Sequence, residues 1–170
     1  IKDDPKLINF KYFFTRKLIF VAGSDATVLC PGGFGTHDEG FETLTLIQTG
    51  KTDPRPVVCL DPPGSKYWSA WRNYLKLHLG RRKMIDNDDL DLIYFTHSTE
   101  KAMQHILDFY RIYHSLRYVR DKLVLRLKEP LSEKQVTRLN RNFSDMLVRG
   151  RMVLQLNPFP DEENEPHTLD

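Results

Sequence analysis

Ala26-Thr27-Val28-Leu29-Cys30-Pro31-Gly32-Gly33-Phe34-Gly35-Thr36-His37-Asp38-Glu39 reads as a strand, a glycine loop and the start of a helix. The first five residues are almost wholly apolar, the pattern of a parallel strand covered on both faces. Glycines then let the backbone turn sharply and approach a ligand with no Cβ in the way. The N–H groups at a helix start, backed by the positive end of its dipole, form an anion site, and the Thr36 hydroxyl adds a donor. In open α/β sheets ligands bind beyond the carboxyl ends of the strands, which is where this loop falls. It follows neither G-x-G-x-x-G nor the P-loop pattern, so spacing points to phosphate without naming the nucleotide.

Other readings of the same residues stand beside this one. The glycines could serve a packing turn alone. Thr36 and Glu39 satisfy S/T-x-x-E, and spacing alone favours a capping box in which the Glu39 carboxylate covers the Thr36 N–H. Glu42, three residues on, shares a helix face with Glu39 or joins a solvated patch. Arg16-Lys17 reads as the polar side of the preceding helix.

Working outward, Asn9 to about Val21 has helical spacing with Phe10, Phe13, Phe14, Leu18 and Val21 inward, closed by Gly23. The helix after the loop runs from about His37 to Thr49 on Phe41, Leu44 and Ile47. Pro56–Leu60 is a second buried strand, Tyr67–Leu79 a helix carrying Trp68, Trp71, Leu75 and Leu79, and Leu92–Phe95 a third strand. Ser98 or Thr99 caps a fourth helix with Ala102, Met103, Ile106, Leu107 and Tyr110 inward. This alternation predicts an α/β, Rossmann-like doubly wound parallel sheet with helices on both faces. Three strands are few for such a sheet, and the chain opens on Ile1 without Met. Further strands are expected ahead of Ile1, and both ends read as cut from a longer protein.

After Ser115 the pattern changes. Leu123–Leu127 alternates as a strand, Ser132 to about Gly150 reads as a helix with Val136, Leu139, Phe143, Met146 and Leu147 inward, and Met152–Leu156 as another strand. The expected organisation is therefore a domain over 1–115, a small β-α-β (α+β) module over 116–157, and an acidic, proline-containing linker or tail over 158–170.

Composition sets outer limits. The formal net charge of +2, with 40% hydrophobic and 28% charged residues, fits a globular protein and offers no long-range field for nucleic acid or a membrane surface. No segment approaches the roughly 20 apolar residues of a membrane span, and the charged stretch from Ile1 to Lys6 is not expected to act as a secretory leader. Cys30 and Cys59 could in principle pair as a disulfide, but the expectation is two free buried thiols in a reducing compartment, the cytoplasm by default. Histidines 37, 78, 97, 105, 114 and 167 make no ligand-spaced pair with Cys or Asp, so neither metal nor cofactor is expected. His97, at a strand's carboxyl end, could line a pocket or serve structure alone. His37 receives no role.

Phe14-Thr15-Arg16-Lys17, the segment Pro31–Glu39 and then Gln48-Thr49-Gly50-Lys51 together resemble the LOG ("Lonely Guy") family, whose members are often labelled lysine decarboxylases. The shared pattern is Arg-Lys followed by Pro-Gly-Gly-x-Gly-Thr-x-x-Glu, and the likeness covers about residues 9 to 110. It implies a nucleoside 5′-monophosphate phosphoribohydrolase that cuts the N-glycosidic bond to free base and ribose 5-phosphate. On it, Arg16 and Glu39 are catalytic, and Lys17, Gly32, Gly33, Gly35, Thr36 and Glu42 hold phosphate or nucleotide. The implied partners are a nucleoside monophosphate and further copies of the chain, as a homodimer or higher homo-oligomer. Trp68, Trp71 and the aromatic run at Phe10 and Tyr12–Phe14 are candidates for that contact or for core packing. The C-terminal module resembles an extension of longer bacterial relatives, as an effector domain or an oligomer contact.

Two other functions compete. A carrier of a phosphate-bearing cofactor such as molybdopterin would use the same loop without a catalytic pair. A lysine decarboxylase would need a lysine set apart for pyridoxal phosphate, and none stands out.

Overall fold

The computed structural model describes residues 4–155 and Phe159. The chain divides into two compact units, one through Phe109 and one from Tyr110.

The first unit is built on three parallel strands in the order β1 (Thr27–Leu29), β2 (Val57–Leu60), β3 (Ile93–Thr96). Leu29 pairs with Cys59 and Cys59 with Phe95, so one row of side chains crosses the sheet on a single face. That face carries the core: Leu29, Val57, Cys59 and Ile93 pack with Trp68, Leu75 and Leu90. Four helices accompany the strands: α1 (Phe13–Ala22) before β1, α2 (Phe34–Gln48) and α3 (Tyr67–Tyr74) in the two crossovers, and α4 (Thr99–Ile112) after β3. Leu44 and Ile47 of α2, and Trp68 and Trp71 of α3, cover the core face. Tyr94 points the opposite way by strand alternation and stacks on His105 of α4 at 4.2 Å. Helices therefore cover both faces, a partial Rossmann-like sheet.

Several expectations are corrected. α3 holds Trp68 at 1% exposure and Leu75 inward, but its last turn widens into a π-helical segment over Leu75–Gly80. Ser98, not Thr99, caps α4, its Oγ accepting from the Lys101 N–H. Met103 and Leu107 of α4 face outward, leaving Ala102 as its buried residue. In α1 only Val21 is buried, while Phe13, Phe14 and Leu18 are exposed. Polar contacts fix this helix instead: the Arg55 guanidinium donates to the Val21 and Ser24 carbonyls at its C-terminal end. Val28 is 45% exposed, because β1 is an edge strand and this residue lines a groove. Cys30 and Cys59 are both free, but only Cys59 is buried.

The second unit is an antiparallel hairpin followed by a helix. β4 (Tyr113–Val119) and β5 (Lys122–Leu127) join through Arg120 and Asp121, with Arg120 at φ 54°. α5 spans Glu133–Asn142 behind a complete capping box made by Ser132 and Gln135. The helix expected to reach Gly150 ends at Asn142, and only a short 3₁₀ turn over Ser144–Met146 follows. Residues 152–155 form no strand. Leu156, and the expected tail apart from Phe159, lie outside the described residues.

Candidate functional site

β1 ends at Leu29, and Cys30 to Gly33 carry the chain to α2 within four residues. Gly33 is the N-cap, with extended backbone and no side chain able to cap. The Thr36 N–H, in the first turn, already bonds the Gly33 carbonyl at 3.1 Å. The capping box is therefore overturned: the helix is capped at Gly33, three residues before Thr36, so Glu39 has no Thr36 N–H to cover. Helix geometry leaves the Phe34 and Gly35 N–H groups without an intrahelical partner.

The glycines differ in what surrounds them. A Cβ on Gly32 would lie 2.2 Å from the Thr36 Oγ1, so the loop is folded tightly against that hydroxyl. A Cβ on Gly33 or Gly35 would meet nothing within 4 Å. Phe34 between them is 96% exposed. Behind the loop, Gly40 packs against Leu29, seating α2 closely on β1.

A groove of about 630 Å³ runs between α1, β1 and the start of α2. Among the predicted residues, Arg16, Lys17, Gly35, Thr36 and Glu39 line it. Gly32 and Gly33 lie in the loop between its lining residues Pro31 and Gly35. Glu42 enters through Lys17, whose ammonium sits 2.6 Å from the Glu42 carboxylate and 3.0 Å from that of Asp38. Hydrogen bonds to Glu42 and then Asp38 raise the Lys17 pKa above its ordinary 10.5. Among the described residues, neither Arg16 nor Glu39 has an ion-pair partner. The Arg16 guanidinium stands 5.8 Å from the Phe13 ring centre.

Sequence reasoning missed two residues beside the loop. The Tyr67 hydroxyl of α3 lies 2.5 Å from the Gly32 carbonyl and 2.7 Å from the His37 Nε2. Thirty positions separate His37 from Tyr67, and no local pattern links them. His97 lines a second groove of about 410 Å³ at the carboxyl ends of β2 and β3, where its Nδ1 lies 3.2 Å from the Pro62 carbonyl. Asp61 there is buried with both oxygens engaged, accepting from the Ser65 hydroxyl and the Trp68 N–H. No helix among the described residues is long and apolar enough to cross a membrane.

A curated Mycobacterium tuberculosis protein named cytokinin riboside 5′-monophosphate phosphoribohydrolase is 39% identical over 74 residues, which is 43% of this chain and 39% of that protein. The chain thus spans well under half the length of the relative it matches. The family model described as "Possible lysine decarboxylase" matches residues 2–106, taking in α1, the glycine loop and the whole parallel sheet. The chain belongs to this family, the LOG family of the sequence resemblance.

Proposed function

We propose that the groove is the catalytic half-site of a nucleoside 5′-monophosphate phosphoribohydrolase. One observation carries the reading: Arg16 and Glu39, from two different helices, face the groove at the glycine loop without ion-pair partners, whereas Lys17, Asp38 and Glu42 beside them are paired. A cation and an anion left unneutralised in one concavity are suited to a ligand that carries both phosphate and developing positive charge.

The phosphate binds at the Gly32–Thr36 turn, where bare backbone at Gly33 and Gly35 permits close approach. Gly35 to Glu39 is about 6 Å of helical rise, the step from a 5′-phosphate toward its ribose ring. The C1′–N bond breaks with positive charge building on the sugar. The Glu39 carboxylate stabilises that charge and orients the attacking water, whose oxygen bonds C1′ while its proton passes to the departing base. Arg16 clamps the phosphate or the base as negative charge gathers there. Lys17 and Glu42 act here as a strut between α1 and α2 rather than as direct phosphate ligands.

The family's descriptive label is a weaker guide. Schiff-base chemistry needs a neutral amine. Lys17, the lysine lining the groove, is held charged by two carboxylates. The exposed Phe13, Phe14 and Leu18 of α1 support a homodimer or higher homo-oligomer, checked by light scattering, and two unpaired thiols fit a reducing cytoplasm.

The test is to incubate the full-length protein with AMP, CMP and related monophosphates and follow free base by chromatography. Base release that Glu39→Gln abolishes supports the reading. Tight monophosphate binding with no release would overturn it in favour of a carrier.

A further inference from the structure

We propose that His37 and Tyr67 form a two-residue relay that positions the phosphate loop by holding the Gly32 peptide. The proposal rests on the reading of that loop as a phosphate cradle.

Proton counting sets the direction of the relay. The Gly32 carbonyl can only accept, and the Tyr67 hydroxyl has one proton, so that proton goes to Gly32 at 2.5 Å. The same oxygen must then accept at 2.7 Å from His37, which fixes the ring as the Nε2–H form. Each bond polarises the next, so the chain from imidazole to hydroxyl to carbonyl is stronger than either link alone. The ring is also held in place: Phe41, Tyr67, Trp68 and Trp71 lie within 6.4 Å of it, centre to centre.

The peptide plane converts this into a function. In a trans peptide the Gly32 C=O and the Gly33 N–H point in opposite directions. Holding the carbonyl on Tyr67 therefore aims the Gly33 N–H away from α3. A glycine pair has no Cβ to resist rotation of that plane, so without the hydroxyl the donor has no fixed aim. His37 and Tyr67 touch no substrate in this scheme. They are positioning residues, and their effect should appear in phosphate affinity.

The experiment uses the full-length protein and ribose 5-phosphate as the probe, with dissociation constants from calorimetry alongside base-release kinetics. Tyr67→Phe keeps the ring and removes the hydroxyl. It should weaken ribose 5-phosphate binding roughly three- to tenfold and raise KM for a monophosphate equally, with kcat nearly unchanged. His37→Leu should do the same, His37→Gln should restore affinity through its amide N–H, and the Tyr67→Phe/His37→Leu pair should be no worse than Tyr67→Phe. Thermal unfolding of each variant separates this from loss of fold. Equal affinity in wild type and Tyr67→Phe, or no rescue by His37→Gln, overturns the relay while base release by wild type stands. Probe binding weakened by Tyr67→Phe in a protein that releases no base removes the hydrolase reading and keeps the relay. A wild type that does not bind ribose 5-phosphate removes the cradle, and the relay with it.

Discussion

Two sets of residues interleave along α1 and α2, and they differ in what they touch. Lys17 pairs with both Asp38 and Glu42, and Gly32 is packed against Thr36. Arg16 and Glu39 stand next in sequence to members of the first set yet have no ion-pair partner among the described residues, and Gly33 and Gly35 have open space where a Cβ would be. The first set explains itself within the protein. The second does not, since neither packing nor a positive φ calls for glycine at Gly33 or Gly35. Residue types that the fold does not require are the ones to credit to a ligand.

The largest effect should come from the unpaired charges. On the proposed reading, Glu39→Gln and Arg16→Ala should each lower kcat/KM at least about 100-fold, because each removes a charge that the reaction uses. Chemical denaturation should show stability unchanged within about 0.5 kcal/mol, as for surface positions without partners. A large stability loss would move these residues into the structural set. Next comes Gly35→Ala, which should split the two properties. A methyl in the first helical turn meets no protein atom and should raise stability by about 0.5–1 kcal/mol, while KM for a monophosphate rises roughly tenfold as the methyl intrudes on the phosphate. An unchanged KM would sink the close-approach role.

Lys17→Met tests the structural set, and should cost about 1–2 kcal/mol by leaving two carboxylates unpaired across the helix interface. Activity should fall only severalfold, through slackened placement of Arg16. The smallest effect is in pH. A lysine whose folded pKa is raised contributes stability below its ordinary 10.5 and loses it as pH climbs through the raised value. The gap in Tm between wild type and Lys17→Met should therefore hold at about pH 8 and narrow above about pH 10.5. A gap that narrows toward acid instead would mean that the strut is not the source of the stability.

Much of the first unit was legible because its strands are short apolar runs separated by helices of clear period. Leu29, Val57, Cys59, Trp68 and Leu75 fall in the core as periodicity says they should. α1 misled because periodicity marks which residues share a face, not whether anything covers that face. The capping box misled because S/T-x-x-E counts residues without knowing where the helix begins, and Gly33 begins it early. β4 was missed because it follows α4 with no glycine or proline between, and its hairpin turns on Arg120-Asp121 rather than on Asn-Gly or Asp-Gly. The contact of Tyr67 with His37 and Gly32 depends on tertiary structure alone, so it could be read only once β1, α2 and α3 were assembled.

The unequal cysteines make the molecule its own instrument. Burial pushes the Cys59 thiol up to about 12, with Asp61 adding to the shift, so maleimides at neutral pH should pass it by. Cys30 is exposed and lies on the groove wall one residue before the loop. Of the two thiols in this chain, an environment-sensitive dye should therefore attach at Cys30 and leave Cys59 unlabelled. Its emission would report occupancy of the groove, allowing libraries of phosphorylated metabolites to be screened by titration before a substrate is known.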